Sequence, residues 1–178
     1  YIHGIRRIAA KRGAWFVFGC TLRDTTGCRN AALVVDREGR IAGRYYKTHC
    51  QRHDEKFVPG DALPVFEADF GPFGVMICAD RRWPETVRTL ALGGARVIFN
   101  PTYGMHDERN TRMMQTRSYE SEVFICFAHP RQALITDPRG TLAASYQSPN
   151  DGYLVYDIDL GEADRARAEG SRHLADRR

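Results

Sequence analysis

A short apolar run, a turn, a helix and a second apolar run, in that order, constrain the fold of this chain more than any other feature. The first run covers residues 73–78 and has the length and composition of a buried strand. Pro84 suits the first position of a helix, where its missing N–H costs nothing, and Gly93-Gly94 is expected to end that helix. Residues 97–99 form the next strand. The sequence therefore predicts a strand–turn–helix–strand unit, with Cys78 as the last residue of its first strand.

Cys78 has two interpretations on the residues alone. A cysteine on such a turn lies near a helix N-terminus, whose partial positive charge favours the thiolate, so it suits a nucleophile. A free cysteine at a strand end is also commonly a small buried hydrophobe. Charged residues crowd this turn, at Asp80, Arg81, Arg82 and Glu85. They favour the catalytic interpretation, because a purely structural connection does not need them.

Length and composition indicate one globular domain over residues 1–178. The 178 residues include 43% hydrophobic and 27% charged side chains, and the net charge of +4 is mild, so we expect no nucleic-acid partner. No apolar run is long enough to span a bilayer, and we expect no membrane association. The five cysteines contain no CxxC pair, which predicts reduced thiols, a cytoplasmic location and no metal site.

Strands and helices are interleaved along the rest of the chain. The first thirteen residues are predicted to end a helix that is capped by Gly13. Further strands are predicted at 14–18, 30–35, 40–46, 65–70, 123–128, 133–136, 142–145 and 153–158. The other predicted features are an irregular loop over 48–64, a weak helix over 106–122, a type I turn over 137–140 and a charged, half-ordered end over 161–178. This order predicts an α/β layered domain.

Separated motifs in this chain match a known family in order and spacing. They are Tyr46-Lys47-Thr48-His49, then residues 55–60, then residues 74–85, and then Asn100-Pro101-Thr102. The chain resembles the carbon–nitrogen hydrolase, or nitrilase, superfamily, and residues 78–85 are most similar to its amidase and N-carbamoyl amino acid amidohydrolase branches. The resemblance implies a four-layer α-β-β-α sandwich, assembly into a homo-oligomer (a dimer or larger), and no cofactor or metal.

The resemblance also implies a reaction, the hydrolysis of a non-peptide carbon–nitrogen bond in a small linear amide or N-carbamoyl amino acid. Carried over by motif, Cys78 is the nucleophile that forms a thioester, Lys47 is the catalytic lysine and Glu55 is the second glutamate. Lys47 and the backbone N–H of Ala79 are expected to stabilise the oxyanion. A carboxylate must then activate the water that attacks the thioester.

Four further residues are candidates for substrate binding. Arg81 and Arg82 match the arginines that bind a substrate carboxylate in the carbamoyl amino acid branch, a task that suits the guanidinium fork. Either arginine could instead pair with a neighbouring acid. Asn100 and Tyr103 follow the second strand of the unit and are expected to line the pocket, as the carboxyl ends of strands do in α/β sheets.

The chain departs from the family pattern at one catalytic position. The family's first glutamate, a general base, lies upstream of the helix with which this chain begins, so we expect the sequence to be an N-terminally incomplete family member. Loss of such a base slows proton transfer by about 10²–10⁴-fold. The assignment of Glu55 has two alternatives. Glu55 could be a solvated acid in a loop, or, in the register of relatives with a longer loop, His53 would occupy the position of the second glutamate.

Two other functions remain open on the sequence. A catalytically silent, truncated homologue could act as an assembly subunit, although the presence of Cys78 and Lys47 argues against it. A glutamine amidotransferase would need a histidine beside its cysteine. We interpret His129 as structural and His49 as a residue that orients the lysine loop.

Overall fold

The computed structural model describes residues 1–150 and 152–169. It divides into two compact units, one formed by Tyr1–Ala62 and the other beginning at Leu63. The elements of the first unit are α1 (Ile2–Arg12), β1 (Phe16–Asp24), β2 (Gly27–Val35) and β3 (Ile41–Tyr46). The strands form an antiparallel sheet in the order β1-β2-β3.

Local turn chemistry sets the ends of these elements. Gly13 ends α1 in the left-handed conformation, at φ 58°, and its N–H bonds to the carbonyl of Ala9. Between β2 and β3, the carboxylate of Asp36 accepts the N–H of Arg40, and the N–H of Gly39 returns to the Asp36 carbonyl. The Nε of Arg6 donates to the Gly39 carbonyl at 2.7 Å. This bond ties α1 to the turn.

The second unit contains a mixed sheet with helices between its parallel strands. Its elements are β4 (Val65–Ala68), β5 (Gly71–Val75), α2 (Pro84–Leu92), β6 (Val97–Pro101), α3 (Glu108–Ser121), β7 (Phe124–His129), β8 (Gln132–Thr136), β9 (Leu142–Gln147) and α4 (Gly161–Glu169). The strand order is β4 to β9 in sequence, and β5, β6 and β7 run parallel. The carboxyl ends of these three strands therefore share one edge of the sheet.

The core of the second unit lies where α2 and α3 cover the sheet. Leu90 of α2 and Met114 of α3 are fully buried and belong to one apolar cluster with Ile98 of β6 and Ile125 of β7. Gly74 of β5 allows the close approach of α2, because a Cβ there would lie 3.0 Å from a methyl carbon of Leu90. Removal of this apolar surface from water contributes roughly 25 cal/mol per Å² to folding.

Most of the predicted elements are present, and the fold class is a mixed α/β fold, as predicted. The predicted strand over 153–158 is wrong, because the described residues 152–159 form no strand despite their alternating pattern. The prediction of a half-ordered end is wrong for Gly161–Glu169, which form α4 and bury Ala163 and Ala166. The rest of that prediction, over 170–178, lies outside the described residues.

Two glycines of the first unit give a matched test of this packing. A Cβ at Gly60 would lie 2.2 Å from the carbonyl oxygen of Tyr46, whereas a Cβ at Gly4 in α1 would meet nothing within 4 Å. We expect Gly60→Ala to lower the free energy of unfolding by about 2 kcal/mol or more. Gly4→Ala should raise it by up to about 1 kcal/mol. Urea unfolding of both variants checks this, and equal effects would contradict the described packing.

Candidate active site

Cys78 occupies a strained backbone position at the edge where the parallel strands end. β5 ends at Val75, the N–H of Met76 still bonds to the carbonyl of Phe99, and Cys78 then begins a short 3₁₀ turn that ends at Arg82. Its φ is +48°, a value that residues other than glycine rarely adopt. The expectation that Cys78 ends the strand beside the helix N-terminus is corrected, since the 3₁₀ turn intervenes and α2 begins only at Pro84.

Side chains from the same turn hold this backbone in place. The carboxylate of Asp80, which is fully buried, accepts the N–H of Ile77 at 2.8 Å. One guanidinium nitrogen of Arg81 donates to the carbonyl of Cys78 itself. Arg117 of α3 donates to the last two carbonyls of the turn, those of Arg81 at 3.2 Å and Arg82 at 3.0 Å. The turn is thus fixed through its backbone groups on both sides of Cys78.

The two arginines after Asp80 lie in different environments. Arg81 is 1% exposed, and its second terminal nitrogen donates to the carbonyl of Met105 at 2.8 Å. Burial lowers the pKa of Arg81, and its Nε has no hydrogen-bond partner among the described residues. Arg82 is exposed. Since the terminal nitrogens of Arg81 hold backbone carbonyls, only Arg82 retains the accessibility that a receptor for a substrate carboxylate needs.

The predicted pocket residues after β6 also differ from each other. Asn100 is fully buried and donates from its side chain to the carbonyl of Met76 at 3.0 Å, so it supports the Cys78 turn and does not line an open pocket. Tyr103 is 85% exposed. Gly104 follows it and lies against Cys78, because a Cβ there would be 3.1 Å from the Sγ of Cys78. Ala79 is buried, and the first intrahelical bond of the turn is made by the next N–H, that of Asp80.

His129 ends β7 at the same edge of the sheet. Its Nε2 bonds to the carbonyl of Tyr103 at 2.9 Å, and its Nδ1 accepts the N–H of Arg131 at 3.0 Å. The ring stacks on that of His106, with centroids 4.2 Å apart. Burial lowers the pKa of His129, the bond to the Tyr103 carbonyl opposes this, and the neighbouring positive charges lower the pKa further.

Lys47 lies in the first unit and is held by backbone and side chain together. The backbone N–H of Lys47 donates to the carbonyl of Asn30 on β2, which extends the pairing of β2 with β3. The carbonyl of Lys47 accepts the N–H of Gly60. The Nζ, which is 2% exposed with the rest of the side chain, donates to the carboxylate of Asp54. Asp54 ends a short 3₁₀ turn, Arg52–Asp54, and also accepts the N–H of Gln51 at 3.1 Å.

Asp54, and not Glu55, is the carboxylate that pairs with Lys47 in this unit. Burial acts to raise the pKa of Asp54, but the hydrogen bonds from Lys47 and Gln51, with the charge of Lys47, outweigh it and hold the pKa below its ordinary value. Glu55 is exposed. The catalytic role of Glu55 stays a prediction, and the structure adds Asp54 as a second candidate.

His49 belongs to a polar chain beside the lysine. Its Nδ1 bonds to the hydroxyl of Thr48 at 2.9 Å, and that hydroxyl lies 3.1 Å from the hydroxyl of the buried Tyr45. These hydrogen bonds link Tyr45 of β3 to the segment that follows Lys47. They are consistent with the interpretation of His49 as a residue that orients the lysine loop.

Sequence reasoning missed two residues of the site, Asp54 and Gly104. Asp54 is adjacent to a glutamate that matches the family motif, and only the 3₁₀ turn decides which carboxylate faces Lys47. Gly104 could have been found from the sequence, because it stands three residues after β6, and a glycine near a strand often marks a close approach of the backbone to another group. Among the described residues, no group of three or more His, Cys, Asp or Glu could hold a metal ion.

Comparison with known proteins places the chain in a family. The sequence profile of the carbon-nitrogen hydrolases matches residues 1–168. This chain belongs to the carbon–nitrogen hydrolase family. It is 33% identical to a nitrilase of Pyrococcus abyssi over 165 residues. The aligned region covers 86% of this chain and 62% of that protein. It is also 39% identical to an N-carbamoylputrescine amidase of Solanum tuberosum over 79 residues, which are 41% of this chain and 26% of that protein.

A solved carbon-nitrogen hydrolase from Helicobacter pylori has the same fold, with a TM-score of 0.89 at 20% identity over 98% of this chain and 71% of that chain. The nitrilase-like α/β class is therefore confirmed. The chain spans about three fifths of the length of the Pyrococcus relative. Over the described residues, no helix combines the length and apolar character that crossing a membrane requires.

The pairing of Lys47 with Asp54 predicts a pH-dependent stability. Because the folded-state pKa of Asp54 lies below its unfolded value of about 3.9, the pair stabilises the fold above that pH and loses its contribution as the pH falls through the folded-state pKa. Asp54→Asn should therefore lower the free energy of unfolding by about 3 kcal/mol at pH 7, since it leaves Lys47 buried without its counter-ion. The deficit should shrink below about pH 4.

Glu55→Gln is the matched control for that experiment, because the two carboxylates are adjacent and only Asp54 is buried. It should change the free energy of unfolding by less than about 0.5 kcal/mol. Urea unfolding of the parent and both variants at pH 7 and pH 3 provides the measurement. A larger effect from Glu55→Gln than from Asp54→Asn would show that the pairing is wrong.

Proposed function

We propose that the protein hydrolyses a non-peptide carbon–nitrogen bond in a small linear amide or N-carbamoyl compound through a thioester on Cys78. One observation carries the proposal. In a carbon–nitrogen hydrolase, Cys78 stands at φ +48° where parallel strands end, on a turn that Asp80 and Arg81 hold. A strained residue that its surroundings over-determine, at such an edge, is typical of a catalytic position.

The proposed reaction proceeds in two halves. The thiolate of Cys78 attacks the carbonyl carbon, and the electron pair of the carbonyl moves to oxygen. The oxyanion collapses, the carbon–nitrogen bond breaks, and the nitrogen leaves as ammonia or an amine after it takes up a proton. Water then loses a proton to a carboxylate and attacks the thioester, which releases the acid and regenerates the thiol. A carbamoyl group released in this way gives carbamate.

Lys47 and the backbone N–H of Ala79 are the proposed donors to the oxyanion. Burial of Lys47 with Asp54 supports this role, because the ion pair gives the ammonium group a fixed position. Ala79 precedes the first bonded N–H of its turn, which is where N–H groups remain available for a ligand. The carboxylates proposed for proton transfer are Glu55 or Asp54 and the glutamate expected upstream.

The substrate class rests on two features of the second unit. Cys78 is followed by Ala79-Asp80, as in amidases and carbamoylases, and one relative is an N-carbamoylputrescine amidase. Arg82 is exposed four residues after the nucleophile and is the proposed partner of a substrate carboxylate. Tyr103 is the other proposed substrate contact. Organisation as one domain, a cytoplasmic location and assembly into a homo-oligomer stay predictions of the sequence.

Ammonia release from a panel of aliphatic amides, N-carbamoyl amino acids and nitriles tests the proposal. We expect activity on amides or carbamoyl compounds, strongest in a version that carries the expected upstream segment. Cys78→Ala should lower that activity by about 10⁴-fold or more, because it removes the nucleophile. Cys20→Ala, on β1, is the matched control and should retain it. Mass spectrometry should detect an acyl or carbamoyl adduct on the Cys78 peptide alone.

The same experiment separates the alternative functions. If neither version releases ammonia from any substrate and no adduct forms, the protein is better described as a silent assembly subunit. If His129→Phe abolishes activity as completely as Cys78→Ala does, a cysteine–histidine mechanism of the amidotransferase type becomes the better description.

A further inference from the structure

The segment Tyr103–Met105, which follows β6, lies directly against the nucleophile. A Cβ at Gly104 would be 3.1 Å from the Sγ of Cys78, which is closer than side-chain carbons ordinarily approach another atom. The backbone of the segment therefore limits the space beside the sulfur. Any group that becomes bonded to Cys78 must fit beside Gly104.

Two side chains hold the segment in this position, one on each side of Gly104. Arg81 donates to the carbonyl of Met105 at 2.8 Å, and His129 donates to the carbonyl of Tyr103 at 2.9 Å. Tyr103 is 85% exposed, so burial of its own side chain does not anchor the segment. The position of Gly104 thus depends on hydrogen bonds that come from the 3₁₀ turn after β5 and from the end of β7.

Arg81 joins the segment to the nucleophile turn. The same guanidinium donates to the carbonyl of Cys78 and lies over the ring of Phe127, 5.4 Å from its centroid. Burial lowers the pKa of Arg81, so keeping this group inside the protein costs free energy that its carbonyl bonds must offset. One buried group therefore fixes both sides of the space around the sulfur.

The partners of His129 define its protonation state. Nδ1 accepts the N–H of Arg131, so it carries no proton, and Nε2–H donates to the Tyr103 carbonyl. His106 stacks on one side of the ring, and the positive charges of Arg131 and Arg81 act to lower the pKa of His129. The neutral Nε2–H tautomer therefore suits a purely structural bond to the segment.

We propose that Arg81 and His129 are positioning residues that hold Tyr103–Met105 against Cys78, and that Gly104 thereby sets the size of the group that the sulfur can take. This inference rests on the proposed function only in taking Cys78 as the nucleophile. It restricts the group transferred to sulfur to a small planar one, a carbamoyl or a short unbranched acyl group. Larger parts of the substrate belong to the leaving amine.

Thiol modification tests the arrangement without requiring turnover. The rates at which Cys78 reacts with a small reagent, methyl methanethiosulfonate, and a bulky one, N-ethylmaleimide, are measured by peptide mass spectrometry at pH 8 and divided by the rates for glutathione. Variants are Arg81→Met, His129→Phe and Gly104→Ala. Arg112→Met is the matched control, because this exposed arginine on α3 forms its ion pair with Glu108, one turn away on the same helix. Cys126 of β7 reports opening of the unit, since burial raises its pKa to about 12.

We expect Cys78 of the parent to react much faster with the small reagent than with the bulky one. Arg81→Met and His129→Phe should lower this size preference by about tenfold, the factor expected when a hydrogen bond that positions a group is lost. Gly104→Ala should slow both reagents at Cys78, because its methyl group occupies the space beside the sulfur. Arg112→Met should change neither rate, and Cys126 should stay unreactive throughout.

An unchanged size preference in both Arg81→Met and His129→Phe, with Cys126 still protected, would overturn the proposal. If either substitution also exposes Cys126, Gly104→Ala decides, and an unchanged rate at Cys78 there overturns the role of Gly104. The outcome is independent of the proposed hydrolysis. A lost size preference in a protein that releases no ammonia would leave the positioning roles in place and remove the enzymatic function.

Discussion

The backbone conformation of Cys78 is the constraint on which the second unit depends. A residue other than glycine at φ +48° costs on the order of 1–3 kcal/mol and persists only when its surroundings over-determine it. Asp80 holds the N–H of Ile77 before Cys78, Arg81 holds the carbonyl of Cys78, and Arg117 holds the carbonyls of Arg81 and Arg82 at the end of the turn. Helix α3 is thus joined to the turn after β5 through the carbonyls of Arg81 and Arg82, and these bonds add to those that hold Cys78 in its strained conformation.

Two buried cations in this chain are stabilised in different ways. Lys47 has a carboxylate partner, Asp54, so its charge is neutralised where it lies. Arg81 instead donates to the carbonyls of Cys78 and Met105 and lies over the ring of Phe127. Burial therefore lowers the pKa of Arg81, whereas Lys47 holds the pKa of Asp54 below its ordinary value. The ion pair positions Lys47 for its proposed role in catalysis. The bonds from Arg81 to carbonyl groups fix the backbone. This difference is the basis for the different roles that we propose for the two residues.

The sequence predicts what depends on local chemistry and periodicity. Pro84 and Gly13 mark the ends of helices correctly, and the turn over 137–140 closes through the N–H of Gly140 as expected. Tertiary context decides the rest. The alternating run 153–158 pairs with no strand among the described residues. Asn100 is predicted to line the pocket because it lies at the end of a strand, but its side chain is buried and bonds to the backbone of Met76. Motif matching selects Glu55, but a one-residue difference within a 3₁₀ turn brings Asp54 to Lys47.

The same reasoning explains why the surroundings of Cys78, the proposed nucleophile, are hard to infer from residue types. The groups that define the space around Cys78 are mostly backbone carbonyls, those of Tyr103, Met105 and Cys78 itself, and every residue carries one. What the sequence can show is the donors that reach them. An arginine that follows a catalytic cysteine suggests a substrate anion, yet buried beneath an aromatic ring it binds carbonyls instead. Burial, more than residue type, therefore decides whether a guanidinium in such a motif recognises substrate or shapes the site that receives it.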